Sequence, residues 1–246
     1  MSYMSYMSQV VTAPPSLFLA YEEFLSAFQK RAEDANLKFN DSNIPLRSCF
    51  TDPGSPSFAD FDRCLYLKGW PCRQLSKKKR LDILIRVRET FTRPDWRLTK
   101  STVYLNYVVV SRKGAKLAQS LHYDFEELGQ TGHPFFHLQL ETEPIPRENL
   151  LTTGFDMDVT RPGCSTDCQV TTRIPTSDMT FTSVLYSLMA DHLCADKRDG
   201  IFHDFADSVK SIHERLPPLR FEALKDSFDK SFTHFKSPHW FAHMHQ

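Results

Sequence analysis

Between Thr102 and Phe125 the chain alternates apolar and polar residues on both sides of a tight turn, and this constrains the fold more than any other feature. Thr102–Val110 is rich in β-branched and aromatic residues, and Leu117–Phe125 alternates Ser, Leu, His, Tyr, Asp, Phe over its second half. Such patterns are those of half-buried strands. Arg112-Lys113-Gly114 between them suits a three-residue hairpin loop ending on a left-handed glycine. That loop pairs Ser111 with Ala115 and Val109 with Leu117. Further down it pairs Leu105 with Leu121 and Val103 with Tyr123. The opposite face then pairs Asn106 with Ser120, Tyr104 with His122 and Thr102 with Asp124. A slip of one residue would mix apolar and polar side chains on both faces, so the pattern itself selects the parity.

Two further segments extend this sheet. Phe135–Glu141 puts Phe136, Leu138 and Leu140 on the apolar face, and Phe135, His137, Gln139 and Glu141 on the polar one. Gln169–Ile174 alternates again and brings Arg173 to the polar side when Val170, Thr172 and Ile174 face the core. Helical stripes flank the sheet. Leu17, Phe18, Tyr21, Phe24, Leu25 and Phe28 recur at helical spacing over 16–31, with Pro14 and Pro15 at the start. Phe181, Val184, Leu185, Leu188 and His192 form a second stripe, with Thr176-Ser177-Asp178 offering N-caps. Ile201 to Leu216 forms a third, broken by Pro217 and Pro218, and Phe221 to Phe235 a fourth. The turn-rich stretch 41–60 reads as a loop. Residues 75–91 fit either period, and their length favours a helix. The expected fold is α+β: a central, mostly antiparallel sheet of about four strands with helices packed on one face, in a single domain over 16–246 after a mobile tail over 1–15.

Composition narrows the function classes. The chain has 246 residues, with 30 Lys+Arg against 30 Asp+Glu, so a strongly basic nucleic-acid coat is excluded while a local patch is not. Lys77-Lys78-Lys79-Arg80 is the densest basic stretch, and reads first as a solvated face. Eight glycines include neither a phosphate-binding loop nor a dinucleotide fingerprint, and no cofactor is expected. The six cysteines are too sparse for a disulfide scaffold. The start lacks the charged and apolar regions of a signal peptide, and no apolar run is long enough to span a membrane. We therefore expect reduced thiols, a cytoplasmic location and no membrane partner. Cys164-x₃-Cys168, the His-rich tail from His234, and the set His122, Asp124, His133 and His137 lack a recognised zinc spacing, and no metal is assigned.

The polar sheet face is the one constellation with chemical content. It carries Tyr104, Asn106, His122, Asp124, His137, Gln139 and Glu141, with Arg173 at a strand end. In a ribonuclease that needs no metal, one histidine takes a proton from the nucleophile and the other gives one to the leaving group. Asp124 orients a histidine, Arg173 holds the phosphate, and Tyr104 completes the catalytic set. Asn106, Gln139 and Glu141 are the binding candidates beside it. The plainer alternative is a solvated or covered sheet face.

The runs Leu121-His-Tyr-Asp-Phe125, His133-Pro-Phe-Phe-His-Leu-Gln139 and Arg173-Ile-Pro-Thr176 before an apolar helix carry a further indication. Together they resemble an uncharacterised bacterial family of α+β proteins, a domain of unknown function, over about residues 100–195. That resemblance implies a bacterial, cytoplasmic protein with a working partner, in the setting of mobile-element or phage-defence modules. Two functions stand at this point. An accessory protein that binds a protein partner or a second copy of itself asks for fewer coincidences and is taken first. A ribonuclease or toxin-like nuclease acting through His122, Asp124, His137, Arg173 and Tyr104 on RNA is the alternative.

Overall fold

The structure, a computed structural model, describes residues 10–70, 79–126, 136–141, 143–161, 180–193 and 199–215, with the backbone alone at 136–137, 141, 191–193, 199 and 213–215. The chain opens with helix α1 (Pro15–Asp34), which starts at a proline as expected. It ends on Asn36 in the left-handed region (φ 60°), with Leu37 N–H returning to Ala32 O at 2.8 Å. The residues just before α1 are held by the fold: Val10 bridges Thr51, and Val11 N–H donates to Phe50 O.

The sheet is larger than four strands. Its strands are β1 (Lys38–Asp41), β2 (Phe50–Thr51), β3 (Phe58–Trp70), β4 (Arg80–Thr92), β5 (Arg97–Ser111), β6 (Gly114–Glu126), β7 (Phe136–Glu141) and β8 (Val159–Thr160). Their order is β1-β3-β4-β5-β6-β7, with β2 beside β3 and β8 beside β6; only the β6–β8 pairing is parallel. The α+β class and the helix-covered face are as the sequence implies.

Three local expectations are corrected. Residues 80–92 are a strand, not a helix: Leu81, Ile83, Ile85 and Val87 all face one buried side, and the neighbours β3 and β5 supply the hydrogen bonds that decide for period 2. The stretch 41–60 contains β2, a 3₁₀ turn at Leu46–Cys49 and the start of β3. The β5–β6 turn has two residues, Arg112-Lys113, closing Ser111 onto Gly114, so Val109 meets Lys116 rather than Leu117. A bulge at Ala118 then restores the expected parity. From Asn106–Ser120 onward every pair is the one predicted.

On one face of the sheet α1, α3 (Phe181–Leu193) and α4 (Asp199–Arg215) bury Tyr21, Phe24, Phe28, Phe61, Ile85, Val103, Leu121, Phe181 and Phe205 in a single core. A carboxylate sits inside it. Glu89 Oε1 accepts Ser101 Oγ at 2.9 Å and the Phe181 N–H at 3.1 Å, while the Tyr21 hydroxyl donates to Oε2. The charge therefore lies at the N-terminus of α3, where the helix dipole favours it. Burial and the Glu89 charge push the Tyr21 hydroxyl well above the usual tyrosine range. The predicted strand at 169–174, the helix around 221–235 and the N-caps at 176–178 lie outside the described residues.

The second face is split. Residues 143–161, which include helix α2 (Arg147–Leu150), fold back over one half of it. Ile145, Leu150 and Phe155 seal Tyr66, Leu84, Val108, Val110 and Leu117 there. The Phe155 and Tyr66 rings meet edge-on at 5.3 Å. The other half is the site described next.

Candidate functional site

Strand register writes the open half as rows across the sheet. One row runs Asp62, Arg88, Thr102, Asp124, His137 from β3 to β7. The next runs Cys64, Arg86, Tyr104, His122, Gln139. Asp60, Thr90, Lys100 and Glu126 make the outermost row. Side chains alternate along strands, so all of these share one face by parity. Thr51, Asp52 and Pro53 rise at one side and close a groove of about 660 Å³ bordered by Asp62, Arg88, Tyr104, His122 and Asp124.

Within the groove His122 Nε2 lies 2.7 Å from Asp124 Oδ2. The two are neighbours on the same strand face, at i and i+2, so extended backbone brings their side chains within reach of each other. Tyr104 stands across from His122 on β5, with ring centroids 5.5 Å apart. Carboxylates and cations interleave around this pair. Asp62 accepts Arg86 Nη2 at 2.7 Å and Arg88 Nε at 3.3 Å. Lys100 Nζ meets Glu126 at 3.1 Å, Arg93 meets Asp52 at 3.1 Å, and Thr90 donates to Asp60 at 2.8 Å. Such cross-strand pairs on a wet face each contribute little to stability, which leaves them open to exchange for a ligand's groups.

Asn106 marks the seam between the halves. It is fully buried: Nδ2 donates to Ser120 Oγ at 2.6 Å and Oδ1 accepts the Ile145 N–H at 2.6 Å. Its polar groups thus hold the covering segment and do not face the groove. The backbone of β7 puts Gln139 opposite His122, His137 opposite Asp124 and Glu141 opposite Ser120, the parity that the sequence predicts. Leu140 lies on the expected face, opposite Leu121, but is 71% exposed, whereas Leu138 of the same strand packs against the core. Arg173, His133, Cys164, Cys168 and the C-terminal histidines lie outside the described residues.

The groove also uses residues that the sequence reading did not select: Asp60, Asp62, Arg88, Lys100 and Glu126. The alternation Phe58-Ala-Asp-Phe-Asp62 carried the signal for β3. It was obscured by Arg63, a charge on the core side. The structure neutralises it there: Arg63 grips Asp41 through Nε (2.7 Å) and Nη2 (2.6 Å) and donates Nη1 to Cys49 Sγ at 2.9 Å. Burial pushes the Cys49 thiol up despite that guanidinium, and pushes the Cys64 thiol up to about 12, so neither is a ready nucleophile. Among the described residues no group of three His, Cys, Asp or Glu is placed to hold a metal ion, and no helix is long and apolar enough to cross a membrane.

No family model, curated protein or solved structure matches the chain.

Proposed function

We propose that the open half of the sheet face is an acid/base site that cleaves RNA phosphodiesters without a metal ion. The observation that carries this reading is the 2.7 Å contact between His122 and Asp124 at the wall of an open groove. A histidine that donates Nε2–H to a carboxylate keeps its lone pair on Nδ1, the tautomer a general base requires. His122 takes the proton of a ribose 2′-hydroxyl, O2′ attacks phosphorus, and the P–O5′ bond breaks. Tyr104, next to the imidazole, gives its proton to the departing O5′. The products are a 2′,3′-cyclic phosphate and a 5′-hydroxyl, and no further reactant is consumed. His137 is in register to take part in the same proton transfers. The interleaved cations offer charge for the phosphate.

The test is cleavage of a fluorescent single-stranded RNA in excess chelator. We expect cyclic-phosphate ends, and loss of about a hundredfold or more in rate for His122→Ala. Full activity of that variant, or activity abolished by the chelator, overturns the reading.

A second reading is supported by a different observation. Leu140, on β7 at the end of the sheet among the described strands, is the most exposed large apolar side chain among the described residues. Such an edge suits a protein partner or a second copy of the chain. An accessory role in a bacterial cytoplasmic module, with mobile-element or phage-defence associations, is the form the family resemblance gives it. Light scattering of wild type and Leu140→Lys tests self-association: a dimer that dissociates in the variant supports this reading, and a monomer in both removes the self-pairing form of it.

A further inference from the structure

We infer that Arg88 is the residue that holds the substrate phosphate in the groove, the role that the sequence pattern gives to Arg173. The inference rests on the cleavage reading but has its own observations. Arg88 borders the groove, and its side chain is 57% exposed. Its one ion pair among the described residues runs through Nε to Asp62 Oδ2, at 3.3 Å. A guanidinium tethered at Nε is oriented, yet both terminal nitrogens remain to address an anion as a fork, the geometry that suits two oxygens of a phosphate. The other arginine on Asp62 differs. Arg86 spends both Nε (3.2 Å) and Nη2 (2.7 Å) on that carboxylate and is largely buried. Asp62 is therefore fixed by Arg86 and acts as a post from which Arg88 reaches into the groove.

Register supplies the placement. Thr102 is paired with Arg88 on one side and with Asp124 on the other, so Arg88 and the His122–Asp124 pair stand two strands apart on the same face. Two strand spacings are about 10 Å. Arg88 is held on the Asp62 side of its strand, and a nucleotide with its phosphate over Thr102 is of a size to span the rest of that distance to the imidazole. Lys100 is the other cation bordering the groove, but its single ammonium is held by Glu126 at 3.1 Å and lies a row further out.

The experiment separates holding from cutting. The probe is a labelled single-stranded DNA hexamer, which has the phosphates but no 2′-hydroxyl to attack, and binding is read by fluorescence anisotropy. We expect wild type to bind, Arg88→Ala to bind about tenfold more weakly or worse, and Arg88→Lys to recover only part of the loss. The slope of log affinity against log salt should fall by about one in Arg88→Ala. Lys210→Ala, on the exposed side of α4, is the control and should bind as wild type does. Equal affinities for wild type and Arg88→Ala, or no binding by wild type, overturn the inference. The cleavage reading fails by itself when the DNA hexamer binds through Arg88 but the fluorescent single-stranded RNA stays intact. The Arg88 assignment fails by itself when RNA is cut and Arg88→Ala leaves KM unchanged.

Discussion

The two halves of one sheet face have opposite fates. In the covered half, the sheet presents Tyr66, Leu84, Val108 and Leu117, and residues 143–161 return to bury them. In the open half, the rows through Asp62, Arg88, Tyr104, His122 and Asp124 keep their polar groups at a groove. Backbone geometry is the same in both, since the same four long strands run through them. Side-chain type, changing from row to row, decides whether a covering segment gains enough apolar burial to stay. Stability is thereby concentrated in one half, and the proposed chemistry in the other.

The largest effect on this contrast should come from the covered half. Phe155→Ala removes the ring that caps Tyr66 and should cost about 3–5 kcal/mol in urea unfolding. A loss below about 1 kcal/mol would mean that the cover is dispensable and the contrast false.

Alkaline pH acts on the buried cluster of that half, which Cys64 joins from the first row of the open half. Burial holds the Cys64 thiol at about 12, and burial together with the Asp82 charge raises the Tyr66 hydroxyl. In the unfolded chain the thiol loses its proton near 9, so above that pH the folded state binds more protons and stability must fall. The expected decline is about 1.4 kcal/mol per pH unit from Cys64 alone, starting near 9 and continuing to the folded value. Cys64→Ala should flatten it, as followed by thermal melts between pH 8 and 10.5.

The seam responds less. Asn106→Ala leaves the Ile145 N–H and the Ser120 hydroxyl without their partner and should cost about 1–3 kcal/mol. Faster hydrogen exchange confined to residues 143–161 would show that Asn106 ties the two halves together.

The open half should barely register in stability. Lys100→Ala and Arg88→Ala each break one exposed pair and should stay within about 0.5–1 kcal/mol of wild type. On the proposed function, the effect of Arg88→Ala falls on RNA binding. A variant of the open half that unfolds the protein would sharpen the comparison in the wrong direction, by making the groove structural.

The register of β5 against β6 and the parity of β7 were legible because one-residue slips there scramble two faces at once. The prediction survived its own error at the turn. A two-residue loop and a bulge at Ala118 shift the pairing once each, and the shifts cancel before Asn106. Strands β3 and β4 were less legible for reasons tied to particular residues. Leu84, Cys64 and Tyr66 are buried on the second face, which breaks simple alternation, and Arg63 and Glu89 place charges on the core side. Half of the groove stands on these two strands, so the acidic and basic residues that surround His122 could not be selected in advance.

Local alternation, fixed by the period of extended backbone, was enough to place Tyr104, His122, Asp124, His137 and Gln139 on one face. It settled the α+β class as well, because amphipathic helices and half-buried strands must cover each other. Only the tertiary structure decided which part of that face stays open. The decision depends on where residues 143–161 land, on the Arg63–Asp41 pair that lets a charge enter the core, and on Arg86 fixing Asp62 beneath Arg88. These are contacts between residues distant in sequence, and their energies depend on burial that no local pattern encodes.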